Sequence, residues 1–416
     1  MLTRRLLLGS ALATVATALG RRSLSAGPAT GRRLIVVFNP GGWDPLSCVA
    51  PMYDAPGVVM APGSGPATAG GLDYVDLGAP AVRDFFDAWH SRTLVLRGLS
   101  VPSVSHDIAT RLMMTGRVGA DRPDWPSLVG DAAADAYTVP SLVLGGPSFP
   151  GEAGSSSARV GANGQLQRLL DGSIFDSSDT PIYPFRGSTS RMLDRYALAR
   201  TAARADHGGN GVGAGLLRAW DTAVRRASDL KSASFDLSFD AVYDLDGQLA
   251  LATDLLARGL SRCASVSSGQ LGSWDTHQNN DAGQAALLNP LFGALDRLMA
   301  RLSTTPGPDG APLIESTTVL VTSEFGRTPA YNSNQGRDHW PFTSALLLGA
   351  GVAGDRVVGG YDDVYFGAPI DFATGEAYAA GTAPSVDHLG ATLLALADVD
   401  PGDWLPGVAP IGGVLA

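Results

Sequence analysis

The sequence predicts a layered α/β/α fold around a mostly parallel central sheet. Three observations predict it: short runs that are apolar throughout, segments of helical period between them, and turn-forming residues that close the runs. Leu34-Ile35-Val36-Val37-Phe38 is the first such run, ended by Asn39-Pro40-Gly41-Gly42, and residues 93–96, 317–321 and 345–348 repeat the pattern. A strand that is apolar at every position is one buried on both faces. Between the runs, Leu288, Leu291, Leu295, Leu298 and Leu302 step by three and four ahead of Pro306. Leu216, Trp220, Val224 and Ala227 step likewise, as do Leu249, Thr253, Leu256 and Leu260. Sheets of this kind bind ligands beyond the carboxyl ends of their strands, so chemistry is expected in the loops that follow the runs. Residues 145–215 carry Gly, Ser and Pro clusters and read as an excursion from the core, a cap or insertion.

Residues 1–26 read as an export signal. Arg4-Arg5 stand directly before an uncharged stretch, 6–20, shorter than the roughly 20 apolar residues a bilayer span needs. Adjacent arginines there point to the twin-arginine export machinery as a partner and to a periplasmic or secreted protein. Small residues at 16–18 and at 24–26 both offer a cleavage site. The rest, 27–416, reads as one large domain with the excursion set into it. Apolar content of 45% with 17% charge describes a globular chain with a sizeable core, and no other stretch is long and apolar enough to span a membrane. The net charge is −10, and four units more negative without Arg4, Arg5, Arg21 and Arg22, which argues against nucleic acid as a partner. Cys48 and Cys263 are the only cysteines, which excludes a disulfide scaffold and a Cys-rich zinc site. Pairing with each other and burial as single thiols are both compatible with the sequence.

Histidine and carboxylate stand together in the candidate loops: His106 before Asp107, His277 two residues after Asp275, Asp338-His339 and Asp387-His388. Imidazole with carboxylate is the ligand set of zinc or manganese, and carboxylates suit magnesium or calcium. Asp44 lies six residues past the first run, in Gly41-Gly42-Trp43-Asp44-Pro45, either as a ligand or as the cap of a turn. Asp275 and His277 would share one face of an extended segment and so reach one ion. Glu324 follows the run 317–321 with Arg327 three residues on, an ion site beside an anion clamp or a structural ion pair. Asp338 and His339 lie in a polar loop before the run 345–348, and Arg337 offers a second anion contact. Ser105 and His106 precede a helical segment that ends at Thr115-Gly116-Arg117, which puts Ser105 at a helix start, as cap or as nucleophile.

Taken in order, these residues resemble the alkaline phosphatase and sulfatase superfamily, and most closely its exported branch, the domain-of-unknown-function 1501 family. The match rests on Gly-Gly-Trp-Asp at 41–44, Ser-His at 105–106, Trp-Asp-Thr-His at 274–277 and Ser-Glu-Phe-Gly-Arg-Thr-Pro at 323–329. Gly-Arg-Asp-His-Trp-Pro at 336–341 and Asp-His-Leu-Gly-Ala-Thr-Leu-Leu at 387–394 complete it. The resemblance implies an alkaline-phosphatase-like fold and a metal-assisted hydrolysis. Sulfatases of that superfamily carry Cys-x-Pro-Ser-Arg-x-x-Leu-Leu-Thr-Gly-Arg, and counting back nine residues from Thr115 lands on His106 rather than on a cysteine. Formylglycine chemistry is therefore not expected. The Asp-His of active phosphatases stands here as Glu324-Phe325, one ligand of a second metal short.

The sequence thus leads to an exported hydrolase acting on phosphate or sulfate esters, small or polymeric, with a divalent metal (zinc, manganese, calcium or magnesium). Asp44, Asp275, His277, Glu324, Asp338 and His339 are the expected ligands. Arg327 is the expected anion contact, His106 a nucleophile, general acid or further ligand, and Ser105 the reserve nucleophile. The alternative is a non-catalytic exported binding or assembly protein that keeps the fold with a degenerate metal site. A serine esterase is disfavoured because no Gly-x-Ser-x-Gly elbow occurs. Replacing Arg4 and Arg5 together by lysine should strand precursor in the cytoplasm; undiminished periplasmic protein in a cell-fractionation blot would contradict the twin-arginine assignment.

Overall fold

The structure is a computed structural model that describes residues 31–119, 121–161, 165–174, 182–207, 212–232 and 244–416. The expected export signal, 1–26, lies outside the described residues. Twelve strands are described: β1 Arg33–Phe38, β2 Gly65–Ala69, β3 Leu72–Asp76, β4 Thr93–Ser100, β5 Ser141–Val143, β6 Ser157–Arg159, β7 Cys263–Ser267, β8 Thr317–Thr322, β9 Gly326–Arg327, β10 His339–Trp340, β11 Phe342–Gly349 and β12 Arg356–Gly359. The α-helices are α1 Pro80–Trp89, α2 His106–Thr115, α3 Trp125–Asp131, α4 Gln165–Asp171, α5 Gly187–His207, α6 Val212–Ser232, α7 Leu245–Ala257, α8 Asn280–Thr304 and α9 Val386–Leu396.

Eight strands form the central sheet in the order β12-β4-β11-β8-β1-β7-β5-β6, with β9–β10 and β2–β3 as separate small hairpins. Every neighbouring pair is parallel except the two made by β11, which runs against both β4 and β8. The fold is α/β with a mostly parallel sheet. The four runs read from the sequence are β1, β4, β8 and β11; β5, β6 and β7 are short and carry serines, so they lack the apolar signature.

Alternate residues of each strand feed two cores. Ile35, Val37, Val319, Val321, Leu346 and Leu348 pack on one face with Phe85 and Phe86 of α1, Leu249 of α7 and the Leu288–Leu302 stripe of α8. Leu34, Val36, Leu320 and Leu347 pack on the other with Leu112 of α2, Trp125 of α3 and Leu389 of α9. The α7 stripe ends sooner than its spacing suggests, because Gly259 at φ +66° lies just beyond the helix and before Leu260. Within 145–215, residues 157–159 join the sheet edge as β6, beside β5. Arg226 of α6 hydrogen bonds the carbonyls of Ser155 and Ala134, which ties that helix to the turns that precede β6 and β5. Among the described residues no helix is long and apolar enough to cross a membrane.

Cys48 and Cys263 are both free and fully buried, and they belong to opposite faces of the sheet. Burial pushes both thiols up, Cys263 to about 12, so neither offers a thiolate at neutral pH. Native protein should therefore be silent to a thiol reagent and show both cysteines only after denaturation; a single oxidised pair in the denatured, unreduced protein would contradict this arrangement.

Candidate metal centre

The strand order explains why residues spread over more than 200 positions meet. β4, β8, β1 and β7 point the same way, so the segments following Ser100, Thr322, Phe38 and Ser267 emerge at one edge. β11 is reversed, and the segment that reaches that edge is the one before it, carrying Asp338 and His339. His106 opens α2 there, with Gly116 at φ +67° closing the helix.

At this edge Asp275 Oδ1, His277 Nε2 and His339 Nε2 form a triangle. The two histidine nitrogens lie 3.0 Å apart, and each is 3.1 Å from the aspartate oxygen. His106 adds a fourth donor from the side, its Nε2 3.4 Å from Asp275 Oδ2. Donor atoms of His106, Asp275 and His339 all lie within 4.8 Å of one another. The other ring nitrogen of each histidine is already committed. His106 Nδ1 donates to Glu324 Oε1 at 2.8 Å, His277 Nδ1 to Asp338 Oδ1 at 2.8 Å, and His339 Nδ1 to the Val104 carbonyl at 2.7 Å. Those acceptors fix the proton on Nδ1, so in each neutral ring Nε2 presents a lone pair to the common space.

The charges are tuned by the same contacts. Burial pushes the Asp275 carboxyl up, but Arg327 hydrogen bonds it at 2.7 Å and, with His339 and His277, holds it at about 2. The Glu324 hydrogen bond raises His106 above the usual imidazole value, against partial burial. The hydrogen bonds from His277 and then Asn332 hold Asp338 below the usual carboxylate range.

Of the expected ligands, then, Asp275, His277 and His339 converge, and His106 joins them. Glu324 and Asp338 stand behind the histidines: Glu324 is 2% exposed and also accepts from Gly41 N and Ser323 Oγ. Asp44 lies outside the group, 1% exposed, its carboxylate taken by Leu46 N, Ser47 Oγ and Asn280 Nδ2. Arg327 is no exposed anion clamp. It is fully buried and donates to the carbonyls of Gly41, Gly42, Trp274 and Arg337 as well as to Asp275. Arg337 is likewise buried and donates to the carbonyls of Thr328 and Val59. Ser105 is exposed, and its side chain makes no capping hydrogen bond to α2. Sequence reasoning passed over Val104, whose role is played by a backbone carbonyl that no side-chain pattern signals.

Phe325 is fully buried and forms an apolar wall, its ring centroid 4.3 Å from that of His339 and 4.9 Å from that of His106. It fits because position 42 is glycine: Gly42 has φ +80°, and a Cβ there would overlap the Phe325 ring. Gly63 has φ +82° with nothing within 4 Å of a built Cβ, so it bears the same backbone strain without the overlap. Gly42→Ala should therefore cost about 1–3 kcal/mol more than Gly63→Ala in denaturant unfolding; equal losses would contradict the packing of Phe325 against this loop.

No curated protein matches the chain. Among solved structures it is similar to a phosphonate monoester hydrolase from Silicibacter pomeroyi, with 11% identity, 92% of this chain and 78% of that one covered, and a TM-score of 0.40. It is similar also to a protein in the alkaline phosphatase superfamily from Vibrio parahaemolyticus, with 11% identity, 96% and 76% covered, and a TM-score of 0.36. Likeness at that level says nothing of the reaction this chain performs. The family model described as Protein of unknown function (DUF1501) matches residues 31–404, and the chain belongs to that family.

Proposed function

We propose that the chain is an exported metal-dependent hydrolase of phosphate or sulfate esters, with one divalent ion held by Asp275, His277, His339 and His106. One observation carries the reading: three histidines have spent Nδ1 on acceptors and aim Nε2, with an ionised carboxylate, into one space. Arg327 is the donor bonded to that carboxylate, and so many acceptors facing each other at 3.0–3.4 Å are costly unless a cation lies among them. The donor set fits such an ion. Metal–nitrogen bonds of about 2.1 Å in an octahedral shell put neighbouring ligand atoms about 3.0 Å apart, the spacing of this triangle. Three imidazoles favour zinc, or iron or manganese, over calcium and magnesium, which prefer all-oxygen shells.

When bound, the ion supplies Lewis-acid polarisation of an ester oxygen and activation of water. The chain's own residues do the rest. Glu324, Asp338 and the Val104 carbonyl orient the three rings and fix the proton on Nδ1. Arg327 keeps Asp275 ionised, and Phe325 excludes water from the inner side. The exposed sides of His277 and His106 leave the approach for a substrate. A second reading, a non-catalytic exported binding or assembly protein, is favoured by one specific observation. Arg327 and Arg337, the guanidiniums available in these motifs for an anion, are both buried and spent on carbonyls. Export by the twin-arginine route to the periplasm or beyond belongs to both readings and rests on Arg4-Arg5 and the uncharged stretch after them.

Protein purified from the periplasm should carry about one transition-metal ion per chain by elemental analysis, and His277→Ala and His339→Ala should lose it together with any hydrolysis of aryl phosphates or sulfates. Metal-free, inert wild type would contradict the centre and support the binding protein with its degenerate site, and metal-replete but inert wild type would contradict the hydrolase. Protons compete for the imidazole nitrogens, while Asp275, held at about 2, stays ionised through mild acid. Metal affinity should thus weaken as pH drops through the histidine range, and the Glu324 contact that raises His106 makes that ring compete for a proton at higher pH than an ordinary imidazole.

A further inference from the structure

We infer that a closed buried network of Asp44, Thr276, Asn280, Gln284 and Arg337 acts as a positioning device, setting the separation of the two loops that carry the triangle. The inference rests on the metal reading above. Asp275 and His277 lie on one loop and His339 on the other, so the triangle exists only if the loops are held in register. Thr276, between the two ligands, turns its side chain away from them. Its hydroxyl donates to Asn280 Oδ1 at 2.6 Å and accepts from Gln284 Nε2 at 3.0 Å. Gln284 Nε2 also donates to the Trp274 carbonyl at 3.1 Å, and its Oε1 accepts from Asp44 N at 3.0 Å. Asn280 Nδ2 donates to Asp44 Oδ2 at 2.7 Å. Arg337 Nε lies 3.3 Å from that same oxygen, an ion contact without hydrogen-bond geometry, and Arg337 N donates to the Thr276 carbonyl at 3.1 Å. The ring therefore runs from the Asp275–His277 loop through α8 and the loop after β1 to the His339 loop, and back.

The five residues are between 0% and 7% exposed. Burying that much polarity gains little stability over well-packed apolar side chains even where it is paired, and Arg337 Nε is left with an ion contact alone. What it supplies is a fixed geometry, since each of these bonds works only at one distance and direction. Asn280 and Gln284, four apart on α8, present one face of the helix to the loop. The Gly-Gly-Trp-Asp and Gly-Arg-Asp-His motifs acquire a reason here that ligation does not give: Asp44 and Arg337 add a buried side-chain link between two loops that backbone bonds from Asn279 to Asn334 and from Asn280 to Gln335 already join.

Thr276→Val keeps the shape and removes the hydroxyl, whereas Thr276→Ser keeps the hydroxyl. Zinc affinity measured by chelator competition should fall about 10–100-fold in Thr276→Val and stay at the wild-type value in Thr276→Ser. The visible ligand-field bands of the cobalt-substituted protein should shift in the valine variant alone. Gln284→Met, which removes the bonds to Thr276 and Trp274 from the helix side, should reproduce the valine result and serves if Thr276→Val does not fold. Unfolding of the metal-free proteins gives stability separately. Variants that lose stability but bind zinc like wild type, with unchanged cobalt bands, would overturn the positioning role while leaving the centre intact. A wild type that binds no metal would overturn the metal reading, and this inference with it.

Discussion

Arg327 carries a positive charge with no exposure to water, and its guanidinium is bonded to three separate loops. Removing such an ion from water costs several kcal/mol, and the cost is recovered only when every N–H meets an acceptor. Here the acceptors are the carbonyls of Gly41, Gly42, Trp274 and Arg337 and the Asp275 carboxylate. The loop after β1, the loop after β7 and the loop before β11 can each satisfy it only from one position. Asp275, His277 and His339 are then placed by the same charge that keeps Asp275 ionised. An arginine that looks like an anion contact in sequence is in fact the pin that joins the loops.

The sheet makes that pin possible. In a wholly parallel sheet every loop at the site would follow a strand. The reversal of β11 between β4 and β8 lets the segment before a strand enter the same edge, bringing Asp338 and His339 opposite Asp275 and His277. α2 starts at that edge with His106, and Glu324, at the end of β8, reaches across to hold its Nδ1. Each of the three histidines is thus oriented from a different element: a carboxylate after β8, a carboxylate before β10, and a carbonyl before α2.

Much of this was legible in the sequence because burial on both faces leaves an unbroken apolar run, as in β1, β4, β8 and β11. The strands β5, β6 and β7 were not, since three to five residues rich in serine give no such run. Within the centre, Asp275, His277 and His339 were legible from residue type and from their place in loops at strand ends. The division of labour was not: Glu324 and Asp338 are the same kind of carboxylate as Asp275, and only distance separates a group that faces the shared space from one that holds a ring. Asp44 was read as a metal ligand or a turn cap, and Arg337 as an anion contact, because both stand in polar loops at the edge of the sheet where ligands bind. Their burial beside Asn280 follows from the packing of α8 against the loop, which no local pattern encodes. His106 was legible as a site residue through the helix that Thr115-Gly116 closes, but not as a partner of Glu324 218 positions away.

The central claim is that three imidazoles and one carboxylate converge to hold a transition metal. X-ray absorption at the metal edge of protein purified with its native ion tests it most directly. The account predicts a shell of nitrogen and oxygen at about 2.0–2.2 Å with the outer-shell scattering of three histidine rings, reduced by one ring in His339→Ala. An all-oxygen shell without imidazole scattering, or a shell unchanged by His339→Ala, would contradict it.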